Sequence, residues 1–570
     1  MGAIRMAGLA AVAAVALTSA QAQDKVPAGT FGPTNPFYAS SPLPFQAPPF
    51  DRIHDTDYEP AMLAGMAQQE SEIRAIADSS AAPTFDNTIL AMEKSGELLH
   101  RVSAAFGGVS GAYTNPNLEK IQQNMAPKSA AHHDAIYLDT KLFHRVEAVY
   151  NHRQALHLDP ESVRLVEVTY RDFIHAGAQL DPAGKERLKQ INAEESQLSN
   201  QFSRRLLAAT KAGAFITTDT RLLAGLSEAQ LAAAAADAKT RNVPGYVLPL
   251  QNTTQQPQLA QMSSHEGRKQ LFDNSWNRAE RGGDNDTRDT IAKLAKLRAE
   301  KGKLLGFDSY AAWKLQDQMA KTPEAAINFM DALVPAATAR AGREAKDIQA
   351  VIDAQNGGFQ LAPADWEFYS EQVRKARYDL DETQVRPYFE ISNVLENGVF
   401  YAATRLYGIT FKERHDIPVY APDVRVFEVF NADGSHLALF YCDYWKRDNK
   451  RGGAWMSEFV GQSRLRNTTP VVYNVANFTK PAPGQPALIT YSDLCSTARA
   501  RPQSRPWVGY LTEPSSMRPR CLSMGPILGS PPSQRSYMVV RSSVLPRERT
   551  IWRKRSPLAR VRPPLSTNHW

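Results

Sequence analysis

Pro470-Val-Val-Tyr-Asn-Val-Ala-Asn-Phe-Thr-Lys-Pro-Ala-Pro-Gly-Gln-Pro-Ala-Leu-Ile-Thr-Tyr-Ser-Asp493 divides the chain into a part that reads as one folded protein and a part that does not. Upstream, apolar periods, helix caps and turn signals follow one another for hundreds of residues. Downstream, from Leu494, Arg, Pro and Ser dominate and no apolar period remains that a core could use.

The chain has 570 residues, 43% of them apolar, so it can bury a large core as one big helical unit or as two to four domains. Its three cysteines, Cys442, Cys495 and Cys521, are too few for a disulfide framework, and no Cys-x-x-Cys pair exists to hold zinc. The net charge of +7 is unevenly placed: residues 494–570 carry 13 Arg and 1 Lys against 2 Glu, which leaves the body net acidic. A basic folded face would point to nucleic acid. A basic stretch with 11 prolines in 77 residues points instead to a disordered or aberrant tail, and no nucleic-acid partner is expected.

Residues 1–22 have the three parts of a secretory signal: Arg5, an Ala/Val/Leu run from Met6 to Leu17, and Ala20-Gln21-Ala22 before the expected cleavage. The run is about a dozen residues, short of the roughly 20 that a membrane span needs, so export to the periplasm or beyond is expected and no span. A Pro/Phe-rich arm follows at 23–58, too rich in proline for helix.

Helical spacing is expected over Glu59 to Ala77 and Asn87 to Phe106. Asp181-Pro182 combines an N-cap with proline at the first helical position and opens a stripe of Leu188, Ile191, Leu198, Phe202 and Leu206. Thr287 to Leu305 repeats the design with Ile291, Leu294 and Leu297 inward, and Thr322-Pro323 opens Ile327, Met330, Leu333 and Val334. Each stripe reads as core packing. Near Ile417 the period changes: Val424 to Phe430 alternates, Asn431-Ala-Asp-Gly434 supplies a turn, and His436 to Tyr441 resumes, which makes a β-hairpin. Val471-Val472-Tyr473 reads as a further short strand.

A search for chemistry finds no Gly-rich phosphate loop and no Gly-x-Ser-x-Gly elbow. His-Glu-x-x-His, which puts two imidazoles on one helix face around zinc, is absent as well. The nearest miss is His265-Glu266-Gly267-Arg268-Lys269, where an ammonium replaces the second ligand. His144-Arg145-Val146-Glu147 fails the inverted pattern at Ala148, and His132-His133 leave a helix about 100° apart and read as solvated polar residues. From these residues alone no reaction can be named.

Several segments resemble one family. They are Trp276-Asn-Arg-Ala-Glu-Arg-Gly282, Tyr310-Ala-Ala-Trp-Lys314, Gln318-Met-Ala-Lys-Thr-Pro-Glu-Ala325, Asp365-Trp-Glu-Phe-Tyr369, Tyr378-Asp-Leu-Asp-Glu382, Pro387-Tyr-Phe389, Asp416-Ile-Pro-Val-Tyr420, Gly452-Gly-Ala-Trp455 and Tyr473-Asn-Val475. In this order they resemble the peptidyl-dipeptidases, or dipeptidyl carboxypeptidases, of the thimet oligopeptidase family of zinc metallopeptidases. The resemblance runs from about Asn35 to Asp493. It implies a mainly α, two-lobed fold with a small β-sheet near residues 417–475, and a monomer whose deep channel admits short oligopeptides and releases dipeptides from their C-termini. It also implies that the hairpin at 424–441 lies beside the catalytic helix, where an edge strand can pair with the substrate backbone.

In that family the zinc helix, His-Glu-Phe-Gly-His, begins a few residues after the equivalent of Ser492-Asp493. Here the corresponding positions read Arg499-Ala-Arg-Pro-Gln503, and nothing there can replace the ligands. The family's third zinc ligand and substrate-binding tyrosines also lie beyond the break. No catalytic or metal residue can therefore be assigned, substrate-binding residues stay unknown, and zinc, although expected of the family, is not expected on this chain.

The expected organisation is a signal at 1–22, an arm at 23–58, a helical part at 59–416, a hairpin region at 417–493 and a basic tail at 494–570 that is disordered or out of frame, which leaves the peptidase fold incomplete at its C-terminus. The alternative is a non-catalytic peptide-binding pseudoenzyme with a genuine tail. Divergence leaves scattered apolar positions behind, whereas a frame change removes them all at one point. Translating the gene in the other two frames from the codon of Asp493 tests this: one frame is expected to read His-Glu-x-x-His within about a dozen residues. If neither does, the tail is genuine.

Overall fold

The computed structural model describes residues 31–250, 256–378, 382–481 and 484–489. The signal segment, the Asp379–Asp381 part of the Tyr378 motif and the basic tail lie outside the described residues. The fold is mainly α, with a two-stranded ribbon of β1 (Phe215–Thr217) and β2 (Tyr246–Leu248) and one five-stranded sheet among the described residues.

Helix starts follow local chemistry. Three helices open with an Asx cap followed by proline: Asn115 accepts from the Leu118 amide, Asp159 from Glu161 and Ser162, and Asp181 from Gly184 at 2.7 Å. Each side chain satisfies an amide that the helix cannot, and proline at N1 loses nothing because its amide would be unpaired there. The first helix spans Asp55–Ala77, four residues earlier than its apolar spacing suggested, because Asp57 accepts from the His54 amide at 2.8 Å and fixes the start.

The stretch expected as one helix from Asn87 to Phe106 is broken. It runs as a π-helical turn, Phe85–Leu90, and a short helix, Ala91–Lys94, before the Glu97–Ala112 helix begins. Gly96, at φ 71°, makes the break in a region that side chains rarely adopt, and Gln69 fills the space where a Cβ would stand.

The Asp55, Glu97 and Pro116–Tyr137 helices share a core of Tyr58, Val102, Phe106, Leu118 and Met125, and the arm joins it through Phe37. Gly65 lets the first two helices approach closely, since a Cβ there would stand 2.8 Å from the Leu99 backbone. Of the two histidines expected to be solvated, His132 is buried, its Nε2 2.8 Å from Gln69 Oε1 and its Nδ1 3.3 Å from Glu70 on the Asp55 helix, contacts that sequence spacing does not reveal. His133 is half-buried and stacks on Tyr137 one turn along its own helix.

The Pro182–Ala212 helix buries Leu188 and Ile191, whereas Leu198, Phe202 and Leu206 are only half-buried. It is joined to the Arg288–Leu304 helix by Arg187–Glu300 and by Glu195, which accepts from Arg298 at 2.8 Å and Lys301 at 2.9 Å. Burial opposes charge on Glu195, but the two cations outweigh it and hold the carboxyl below its ordinary pKa. One of the expected core stripes fails: Ile327, Met330, Leu333 and Val334 are each at least half exposed, because no described element covers that face. In the other, Leu294 and Leu297 are buried as expected and Ile291 alone is exposed, at 49%.

The sheet has the order β3 (Thr410–Arg414), β4 (Arg425–Phe430), β5 (His436–Trp445), β7 (Val471–Phe478), β6 (Trp455–Val460). Only β5 and β7 are parallel. The expected hairpin is β4–β5, turned at Asn431–Gly434 with Gly434 at φ 81°. It is interior, so the expectation that it offers a free edge fails: the edges are β3 and β6, two strands whose short runs lacked a hairpin signal. One face packs Leu439, Tyr441, Val471 and Tyr473 against the arm and Ala112, and the other packs Phe427, Phe440 and Val472 against Leu395, Phe400 and Ala403.

β6 is seated on the Glu97 helix, where Gly108 admits the Phe459 ring so closely that a Cβ would clash with it. Gly108→Ala is expected to lower stability by about 1–3 kcal/mol through overpacking. Gly342→Ala, on an exposed helix with open space around it, is expected to raise stability by about 0.5–1 kcal/mol, and the two changes can be compared by urea denaturation.

Candidate functional site

Among the described residues the five-stranded sheet ends in two open edges, β3 and β6, and the edge of β6 is the one whose entry is fixed by a buried ionic cluster. The strand pairs on one side only, with β7, in the register Trp455↔Val475 to Val460↔Val471. Among the described residues no strand takes its other side, so a row of amide and carbonyl groups is left that can extend the sheet.

The segment before β6 is held in place by a buried ionic hub. Asp443, at the end of β5, has no solvent exposure. It accepts from Tyr420 Oη at 2.8 Å, Arg447 Nη2 at 2.6 Å and Lys450 Nζ at 2.9 Å. Lys450, also fully buried, spends its other two protons on the carbonyls of Asp443 and Trp445. Burial pushes the Lys450 amine down to about 8 against the opposing field of Asp443, and it pushes Lys446 down to about 8 as well. Burial also raises the Tyr420 phenol well above its ordinary value, and Asp443 adds to the effect, so it stays a donor.

Around this hub the loop is tied to the helical body. Arg447 donates to Ala112 O, Asn449 and Thr114 exchange bonds, and the Arg451 amide donates to Gly111 O. Asn477 on β7 donates to the carbonyls of Arg451 and Gly453 at 2.8 and 2.7 Å. Gly453, at φ 91°, makes the turn that aims Trp455 into the strand. The motif Gly452-Gly-Ala-Trp455 therefore marks the rigid entry to an open edge. The hub residues were passed over in the sequence because Lys446 to Gly453 reads as a polar loop. The one available signal was the density of charge between two apolar strands.

The histidine motifs resolve into structural contacts. His265 Nδ1 lies 2.9 Å from Asp365, whose Oδ1 also accepts from the fully buried Arg268, and Lys269 pairs with Asp273 at 2.8 Å. That cluster joins the His265–Trp276 helix to the turn at Pro363–Asp365. His144 lies 3.8 Å from Glu147 in an exposed pair. Among the described residues no group of three or more His, Cys, Asp or Glu side chains is placed to hold a metal ion.

Residues 258–498 match the model of peptidase family M3. The chain is 51% identical over 461 residues to the dipeptidyl carboxypeptidase of Escherichia coli, covering 81% of this chain and 68% of that protein, and 50% identical over 462 residues to the Salmonella typhimurium dipeptidyl carboxypeptidase. It is 30% identical over 468 residues to the oligopeptidase A of E. coli, with the same coverages. The chain belongs to peptidase family M3.

Asp443→Asn leaves Lys450 and Arg447 buried without a counter-charge and is expected to cost about 3–5 kcal/mol at pH 7. In the folded state the amines lose protons near pH 8, but the unfolded chain keeps them to about 10.5. Between those values the unfolded state binds more protons, so stability rises with pH. Denaturation of the unmutated protein from pH 7 to 10 is expected to show this contribution as a rise in stability across that window.

Proposed function

We propose that this chain has the fold of an exported dipeptidyl carboxypeptidase that takes short oligopeptides in extended form along the outer edge of β6, and that as sequenced it does not hydrolyse them. The observation that carries the activity class is the gap in identity, 51% to the dipeptidyl carboxypeptidase of E. coli against 30% to its oligopeptidase A over nearly the same span. The open edge of β6, with its entry fixed by the Asp443 hub, supports the binding mode. Release of dipeptides from the C-terminus is thus the reaction of the fold, with zinc as the family's cofactor.

The inactivity of this chain rests on the missing His-Glu-x-x-His and on the family match ending at residue 498, beside the change in composition at Leu494. Water that no metal polarises keeps its high pKa and is a poor nucleophile at neutral pH. Export rests on the signal pattern at residues 1–22, and the mature protein is then expected to begin at Gln23.

Metal analysis of the purified chain is expected to find far less than one zinc per molecule, together with no dipeptide release from a blocked tripeptide. One equivalent of tightly held zinc, lost along with activity on adding chelator, would overturn the inactivity. Chelator-sensitive release of C-terminal dipeptides by an in-frame allele is the expected sign of the parent activity. Cleavage only in the interior of peptides would move the fold to the oligopeptidase branch.

A further inference from the structure

Arg451 stands at the entry to β6, just before the Gly453 turn, where residues 452–454 are exposed and the open edge begins. Its backbone is fixed, the amide by Gly111 O and the carbonyl by the Asn477 side chain. Its side chain is not matched in the same way. Among the described residues the half-buried guanidinium has neither an ion pair nor a side-chain hydrogen bond.

The carboxylates of the hub are already spent. Asp443 is met by Arg447 and Lys450, and Asp448 by Arg241 at 2.6 Å. The group that feels the Arg451 charge is the Tyr473 phenol, which burial pushes up to about 12, so it is neutral and supplies no counter-charge. Tyr473 lies opposite Ser457 in the sheet, which places that charge along the first half of β6. Burial lowers the guanidinium pKa, but from so high a starting value that the group stays charged. A cation partly withdrawn from water without an acceptor is costly, and an anion brought to it recovers the cost.

Peptide pairing on β6 identifies the anion. The amides and carbonyls of an extended chain are alike at every residue, so backbone pairing cannot by itself register where a peptide ends. The α-carboxylate is the mark of a C-terminus, and release of dipeptides from that end requires it to be found. Further along β6 the carboxyl of Glu458 has a buried oxygen with no hydrogen-bond partner, a position that disfavours a second carboxylate. We propose that Arg451 receives the C-terminal carboxylate of the peptide, so that the peptide lies antiparallel to β6 with its C-terminus at the Gly453 end. The assignment rests on peptide pairing along β6 and adds to it the direction of the peptide and the residue that recognises its end.

The test measures binding of the full chain to three N-acetylated pentapeptides by calorimetric titration at low salt: a neutral sequence with a free C-terminal carboxylate, the same sequence as its C-terminal amide, and an amide with one interior glutamate. The free acid is expected to bind about 10- to 100-fold more tightly than either amide, the range of a hydrogen bond to a charged group. High salt is expected to shrink that advantage. Arg451→Gln is expected to bring the free acid down to the affinity of its amide, and Arg451→Lys to keep part of the difference. The thermal midpoint of Arg451→Gln is expected not to fall, because the change removes an unpaired charge and keeps the backbone bond to Gly111.

Equal affinity for the free acid and its amide would overturn the proposal and leave peptide pairing on β6 standing. So would an interior glutamate that binds as tightly as the free acid, since Arg451 would then read acidic side chains. Failure of all three peptides to bind would overturn the β6 pairing and this proposal with it. The comparison of acid with amide uses the unmutated chain, so it decides the matter even if Arg451→Gln does not fold.

Discussion

Asp443 is the constraint on which the candidate site depends. A carboxylate removed from water is costly unless each lone pair is met, and here a phenol, a guanidinium and an ammonium meet it. The same three donors come from the approach to the hairpin, from the loop after β5 and from the loop's far end. Neutralising the charge therefore folds the loop. Once folded, the loop presents its backbone to Gly111, Ala112, Thr114 and Asn477, and its exit leads into β6. An open strand can serve as a docking edge only if its position is fixed, and the hub supplies that fixity away from the edge itself.

Packing is uneven across the molecule. The sheet is covered on both faces, and the arm contributes Phe50, which meets Tyr420, Tyr441 and Phe459 ring-edge to ring-face. Residues far apart in the chain, from the arm to β7, thus close one core around the strands. Among the described residues the Pro323 helix has no such closure over its first half. The two regions differ in available partners rather than in composition, for the stripe from Ile327 to Val334 is as apolar as many that are buried.

Much of the local structure was legible. Asx-Pro pairs such as Asp181-Pro182 act within one turn, and the Asn431–Gly434 turn is set by residues that tolerate its backbone angles, so both could be read directly. The break at Gly96 was hidden because glycine in a helical pattern is tolerated until a neighbouring element, here Gln69, takes the space of its missing Cβ. The hub at Asp443 was hidden for a related reason. Its partners lie 23, 4 and 7 residues away, and only the loop geometry brings them to one carboxylate.

By itself the sequence determined the helical class, the helix starts at Asp181-Pro182, Thr287 and Thr322-Pro323, the hairpin and, through the order of its motifs, the resemblance to the family that the comparisons establish. It also determined that His-Glu-x-x-His is missing, because that motif is contiguous and its absence can be read residue by residue. Only the tertiary structure decided that the hairpin is interior and β6 the edge, that His132 is buried, and that Ile327, Met330, Leu333 and Val334 face solvent. Periodicity reports which residues share a face and carries no information about what lies opposite. Strand order, burial and exposure are properties of that opposite surface, which distant segments of the chain either supply or leave open.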